Sequence, residues 1–193
     1  MKNKIYIIVS AIVAVIALIA ACFTISPASG EIVYFCDHHP MSQHIDIDVS
    51  NNKNDVVYKI TDIFFDYTDS IVLDDGRGNA IRELYNYDFV SKNDHVVLNG
   101  NGTMYGCESE GVGDANAPRK VFDNKRAQVG TIEYNRARTK MQLKDVDGTV
   151  VAECASSVFR TDCAVTIFDG CQFDNTAVIM MFLSYMNQIV NLA

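Results

Sequence analysis

The pattern of apolar and polar positions divides the chain into an apolar start, a long stretch of short alternating runs, and an apolar end. Within the middle stretch, His44–Val49 alternates polar and apolar residues, and Val56–Phe65 is rich in β-branched and aromatic residues. Such runs are typical of strands with one buried face. Tight-turn sequences separate them at Asp74–Asn79, Asn99–Gly102 and Asp147–Gly148. The pattern predicts about ten to twelve short antiparallel strands.

The carboxy-terminal segment predicts one helix. Asp174 or Asn175 suits its first position, because a short polar side chain there binds free backbone N–H groups. Every residue of Ala177–Leu183 is apolar, and the later polar residues form one narrow stripe: Ser184, Asn187, Gln188 and Asn191. As a second membrane span, Ala177–Val190 would rise only about 21 Å against a bilayer core of about 30 Å. We therefore expect a mainly β fold, a closed antiparallel barrel of about twelve strands around this buried helix.

The amino-terminal segment, residues 1–30, predicts a membrane anchor or signal sequence, and residues 31–193 form the folded domain. Ile5–Phe23 is apolar except for Ser10, and Lys2 and Lys4 precede it. Three alternatives stay open: an uncleaved single-pass anchor, an ordinary cleaved signal, and a lipoprotein in which Cys22 is lipidated. Because the lysines precede the apolar run, all three place the domain outside the cytoplasm.

The order of strands, turns and helix resembles a known family. Asp46–Lys59, Ile71–Glu83 and Met141–Glu153 repeat a phrase of strand, short turn and strand. The most specific stretch is Met141–Ala155, followed by the apolar helix within Phe173–Val190. This arrangement is similar to the tubby C-terminal-like family, which includes LURP-one-related and phospholipid scramblase proteins. The resemblance implies a twelve-stranded barrel with a central helix and, for tubby domains, binding of phosphoinositide headgroups through basic side chains.

Charge is distributed unevenly along the domain. The whole chain has a net charge of −8, which argues against nucleic acid as a partner. Arg119–Lys144 nevertheless holds eight basic and two acidic residues, a net of +6. We take five of them as candidate ligand-binding residues: Lys125, Arg126, Arg136, Arg138 and Lys140. They predict binding of an anionic lipid headgroup or an acidic protein. The alternatives are an envelope-associated scaffold, in which this segment only balances acidic neighbours, and scramblase-like lipid handling.

Cysteines and histidines give a weaker signal. Cys36, His38 and His44 offer zinc or copper ligand types, but a polar linker beyond the anchor explains them equally well. Beyond Cys22 the chain has five cysteines, enough for two disulfides and one free thiol outside the cytoplasm. Cys163 and Cys171 are close in sequence and form one candidate pair. The sequence suggests no catalytic residues and no cofactor, so we expect a non-enzymatic protein.

Overall fold

The computed structural model describes most of the predicted domain, namely residues 31–39, 46–63, 70–86, 95–99, 104–109, 117–134, 139–156 and 162–191. The chain divides into two compact units, Met1–Gly30 and Glu31–Ala193. The predicted membrane or signal segment, with Cys22, lies outside the described residues. No helix within the described ranges has the length and apolar character that crossing a bilayer requires.

Within the described ranges the chain forms twelve strands and one helix. The strands are β1 (Ile32–His38), β2 (Asp46–Ser50), β3 (Val56–Ile63), β4 (Ser70–Asp74), β5 (Ala80–Asn86), β6 (His95–Asn99), β7 (Met104–Ser109), β8 (Arg119–Phe122), β9 (Gln128–Tyr134), β10 (Lys140–Asp145), β11 (Val150–Ser156) and β12 (Asp162–Ile167). The helix, α1, spans Asn175–Asn191. The prediction of a mainly β chain ending in one helix is confirmed.

The strands form one antiparallel ladder in which each pairs with its neighbours in sequence. The first and last strands also pair, with Tyr34 opposite Val165 and Cys36 opposite Cys163. The hydrogen-bonded order therefore returns to β1, which is the strand order of a closed barrel. Because strands alternate in direction, the turns after β2, β4, β8 and β10 lie at one end, together with the start of α1.

The core is built from alternate strand residues and the first half of the helix. Buried positions recur with a period of two in β2, β9 and β12, as expected for strands with one apolar face. In α1, the residues of Ala177–Leu183 are each at most 8% exposed and belong to the same core as the strand residues. The predicted burial of this apolar half is confirmed.

Asp174 is the amino-terminal cap of α1. Its Oδ1 atom accepts hydrogen bonds from the backbone N–H groups of Thr176, at 2.9 Å, and Ala177, at 3.2 Å. The Thr176 hydroxyl also donates to the same oxygen. These bonds satisfy backbone donors that have no partner within the helix. Of the two predicted caps, Asp174 and Asn175, the structure therefore selects Asp174.

Four hairpins share one turn geometry, which the sequence pattern had only partly indicated. They are β2–β3, β4–β5, β8–β9 and β10–β11, and their turns begin at Asn51, Asp75, Asp123 and Asp145. In each turn the side-chain oxygen of the first residue accepts hydrogen bonds from the third and fifth backbone N–H groups, at 2.8–3.2 Å. We call these the four equivalent hairpins.

The fourth residue of each equivalent turn has a positive φ angle. The residues are Asn54 at 62°, Gly78 at 85°, Arg126 at 64° and Gly148 at 81°. Glycine adopts this left-handed conformation without steric cost and asparagine tolerates it, whereas for other residues it costs roughly 1–2 kcal/mol. Arg126 is therefore the unusual residue at this position.

Each equivalent hairpin also has a β-bulge at the same place, where the register shifts by one residue. The residue that follows the bulge packs against or within the core, and the four such residues are Tyr58, Arg82, Gly130 and Ala152. Gly130 is required by close packing, because a Cβ atom there would lie 2.5 Å from the Lys144 carbonyl oxygen and 3.0 Å from the Phe173 ring. Arg82 is the one charged residue of the four.

Candidate functional site

The predicted basic residues do not converge on one surface. Lys125 and Arg126 lie in the turn between β8 and β9, whereas Lys140 begins β10. Strand β9, which is about 20 Å long, separates these two places. Arg136 and Arg138 lie between the end of β9 and the start of β10, outside the described residues. The binding role of Arg136 and Arg138 therefore stays a prediction, and the structure divides the other three candidates into two groups.

Lys125 and Arg126 form the exposed tip of the β8–β9 turn. Asp123 Oδ1 holds the backbone of this turn by accepting hydrogen bonds from Lys125 N, at 2.8 Å, and Ala127 N, at 2.9 Å. The Arg126 side chain is 73% exposed, and its Nη1 atom lies 3.2 Å from Glu108 Oε1 on β7. An exposed pair of this kind contributes at most about 1 kcal/mol. An anionic ligand can therefore replace Glu108 at small cost.

The basic residues of β10 are matched by acidic residues on the neighbouring strands. Lys140 Nζ lies 2.8 Å from Glu153 Oε2 on β11, and Lys144 Nζ lies 2.7 Å from Glu133 Oε2 on β9. Gln142, between the two lysines, donates a hydrogen bond to Glu153. This outer face is thus a network of cross-strand pairs rather than an excess of positive charge.

A half-buried ion pair at the start of the helix was not predicted from the sequence. Arg82 Nη2 lies 2.8 Å from Asp174 Oδ1, and Arg82 is only 8% exposed while the Asp174 side chain is 43% exposed. Arg82 Nη1 also donates to the Ile81 carbonyl, at 3.1 Å. Partial burial disfavours the charged carboxylate, but hydrogen bonds from Thr176 and Arg82 outweigh it and lower the pKa of Asp174.

Two tyrosines, Tyr58 and Tyr105, lie close enough to this ion pair to interact with its charges. The ring centroids of Tyr34 and Tyr58 are 6.0 Å apart, and those of Tyr105 and Phe173 are 5.7 Å apart. Burial, followed by the nearby Tyr34, raises the pKa of Tyr58, and burial likewise raises the pKa of Tyr105. Both phenols therefore stay neutral hydrogen-bonding groups at physiological pH. The cluster fixes α1 against the strands and presents no activated nucleophile.

The structure does not show the three predicted metal ligands, Cys36, His38 and His44, at one site. Cys36 is buried in the core, and His44 and the His38 side chain lie outside the described residues. The structure instead brings ligand atoms of His39, Asp46 and Asp48 within 4.8 Å of one another. Lys59 Nζ lies 3.4 Å from Asp48 Oδ1, so a cation already sits beside this group. It is best described as a surface ion cluster.

The candidate pair of Cys163 and Cys171 does not form a disulfide. Both cysteines are free thiols, and most of β12 lies between them. Cys171 donates a weak hydrogen bond to the Phe173 carbonyl, at 3.9 Å, whereas Cys163 is buried in the core. Because Cys163 lies near the start of β12 and Cys171 lies beyond its end, the two thiols are too far apart to bridge, and this pairing is wrong.

Comparison with known proteins adds information on the fold. No protein-family model matches the chain, and no curated protein sequence matches it. The chain is similar to the X-ray structure of a protein from Arabidopsis thaliana, with a TM-score of 0.60 and 13% sequence identity. The similarity covers 84% of this chain and 93% of that chain. At such low identity it shows a shared fold and nothing about the ligand.

Proposed function

We propose that the protein is a membrane-tethered, non-enzymatic domain that binds anionic lipid headgroups. The apolar segment Ile5–Phe23 supplies the tether, and a barrel closed around α1 supplies a rigid scaffold outside the cytoplasm. Because the helix and apolar side chains fill the core, ligand contacts fall to the turns and the outer face. The resemblance to the tubby C-terminal-like family supports the same class of ligand.

The conformation of Arg126 is the observation that carries this proposal. Three equivalent turns use asparagine or glycine at the left-handed position, whereas the β8–β9 turn places an exposed arginine there. Strained backbone positions persist where the surrounding structure imposes them and often coincide with binding sites. Here the strained turn places two adjacent cations, Lys125 and Arg126, at its exposed tip.

The expected energy of this contact is modest and depends on salt. Each lysine or arginine beside an anionic membrane contributes about 1 kcal/mol, so the tip supplies about 2 kcal/mol. Without a tether such a contact is weak and is detectable only at low salt with excess anionic lipid, whereas a tether keeps the domain close to the surface. The amino-terminal segment would raise the local concentration in this way, which links the two halves of the proposal.

Flotation of the domain Glu31–Ala193 with liposomes tests the proposal. We expect it to float with phosphatidylcholine vesicles that contain phosphatidylserine, more strongly at low salt, and not with phosphatidylcholine alone. Changing Lys125 and Arg126 to glutamate should weaken binding roughly 30-fold, which corresponds to about 2 kcal/mol. Unchanged binding of this variant would contradict the role of the turn.

The equivalent hairpins provide a matched control. Lys53 and Arg77 occupy the third position of their turns, as Lys125 does. Changing both to glutamate alters net charge by the same amount as the Lys125 and Arg126 reversal but leaves the β8–β9 turn unchanged, so its effect on binding should be small. A loss as large as that of the Lys125 and Arg126 variant would indicate a net-charge effect. If binding is lost only when Arg136 and Arg138 are changed to glutamate, the membrane contact involves the residues that follow β9 and not the β8–β9 turn.

One observation favours the scaffold as the second candidate. Phe35 on β1 is 38% exposed, and it lies opposite Ala164, which lies opposite the exposed Ala155. This row of apolar side chains on the outer face suits a protein contact better than a lipid headgroup. Absence of any liposome binding, with the fold intact, would favour this alternative.

A further inference from the structure

Three buried cysteines lie together where the last two strands meet the first. They are Cys36 on β1, Cys163 on β12 and Cys154 on β11, and none is more than 6% exposed. The Cys163 thiol is in hydrogen-bonding contact with the thiols of both Cys154 and Cys36. In this structure all three are thiols rather than members of a disulfide. They are distant in sequence, and only the pairing of β1 with β12 brings Cys36 to the other two.

The register distinguishes the two possible partners of Cys163. Cys36 is directly opposite Cys163, and opposed antiparallel residues have Cα atoms about 4.5–5.5 Å apart, within the range that a disulfide spans. Cys154 is opposite Val165, and Cys163 is opposite Ser156, so these two cysteines are diagonal neighbours. Diagonal Cα atoms are about 7–8 Å apart, beyond the usual limit for a disulfide.

The arrangement of the three cysteines suits a disulfide between two of them better than a metal ion bound by all three. A three-cysteine metal site requires all three sulfur atoms to approach one point. Among the described residues, three side chains bring their potential ligand atoms within 4.8 Å of one another, and they are His39, Asp46 and Asp48. The three cysteines do not form such a group. The three sulfur atoms therefore do not converge to that degree, and Cys163 lies between its two neighbours.

We propose that Cys36 and Cys163 form a disulfide bond in an oxidising environment and so join the first strand covalently to the last. The bond closes a loop of the chain from position 36 to position 163 and fixes the ladder at the β1–β12 pairing. This inference is independent of the proposed lipid binding, because it concerns the inside of the domain and not its surface.

The chemistry requires a disulfide oxidant and two exchange steps. Because the folded domain buries both thiols, the bond forms while the chain folds, and a Cys163 thiolate starts the exchange. It attacks the oxidant RSSR, forms a mixed disulfide and releases one RS⁻. The Cys36 thiolate then attacks the Cys163 sulfur and releases the second RS⁻. The two cysteines lose two electrons and two protons, and the oxidant becomes two RSH.

Disulfide mapping of the full-length protein in detergent tests the proposal. The protein is refolded with oxidised and reduced glutathione, its free thiols are alkylated under denaturing conditions, and its peptides are identified by mass spectrometry without reduction. We expect one linked pair of peptides, containing Cys36 and Cys163, and two fewer alkylated thiols than after reduction. Alkylation of Cys36 and Cys163 in the oxidised protein, or a Cys154–Cys163 link, would overturn the proposal.

Two variants separate this bond from a general effect of removing a buried thiol. Cys154→Ala should keep the Cys36–Cys163 link, and reduction should still lower its unfolding midpoint as in the wild type. Cys36→Ala should lose the link, and reduction should then leave its midpoint unchanged. Equal sensitivity of both variants to reduction would contradict the assignment, and the wild-type mapping decides the question if Cys36→Ala does not fold.

Discussion

The hairpins β4–β5 and β8–β9 share one turn geometry but use an arginine in opposite ways. Arg82 follows the bulge of the first hairpin, points inward and pairs with the helix cap Asp174. Arg126 occupies the left-handed turn position of the second hairpin and is 73% exposed. The environment decides the energetic weight of each charge, because a buried pair that loses one partner is penalised far more than an exposed pair. We therefore assign Arg82 to stability and keep Arg126 as the proposed binding residue.

Removal of the ion pair between Arg82 and Asp174 should have the largest effect on stability. Asp174→Ala leaves the Arg82 guanidinium buried without its carboxylate and also removes the helix cap, so we expect a loss of about 3–4 kcal/mol in the free energy of unfolding. Arg82→Ala should cost less, about 2 kcal/mol, because the half-exposed Asp174 regains water. Urea unfolding of residues 31–193 measures both. A loss below about 1 kcal/mol for Asp174→Ala would show that the pair is not the link between helix and sheet.

Gly130→Ala should have an intermediate effect. The added Cβ atom would meet the Lys144 carbonyl oxygen and the Phe173 ring, and overpacking of this kind costs about 1–3 kcal/mol. The matched control is Ala152→Gly at the equivalent position of the β10–β11 hairpin, where a methyl group is already accommodated, and it should cost about 1 kcal/mol. Thermal unfolding compares the two. If Gly130→Ala is as stable as the wild type, neither the Lys144 carbonyl nor the Phe173 ring packs tightly against Gly130.

Arg126→Gly should have the smallest effect on stability and the opposite sign. Glycine relieves the left-handed strain, so we expect a net gain of up to about 1 kcal/mol after loss of the Glu108 pair. Binding to anionic liposomes should weaken in the same variant. A gain in stability with unchanged flotation would show that the strain has no binding role, whereas a loss of stability would show that Arg126 supports the turn.

Sequence reasoning identified three of the four equivalent hairpins and missed the fourth. Asp46–Lys59, Ile71–Glu83 and Met141–Glu153 correspond to β2–β3, β4–β5 and β10–β11. The β8–β9 turn has neither the glycine nor the asparagine that the other three turns place at the left-handed position, because Arg126 occupies it. A useful signal was present in the first turn residue, which is asparagine or aspartate in all four. A pattern of asparagine or aspartate followed six positions later by an apolar residue occurs in all four hairpins and would have identified the fourth.

The sequence by itself determined the local structure of this protein. Alternating polarity defined the strands, turn chemistry separated them, and the unbroken apolar run Ala177–Leu183 required an enclosed helix, since each of these is a property of neighbouring residues. Only the tertiary structure decided which distant residues meet. It placed Arg82 against Asp174, Cys36 opposite Cys163, and Lys125 and Arg126 at the other end of β9 from Lys140. Such contacts depend on strand register and on closure of the ladder, and a pattern confined to one strand contains no information about either.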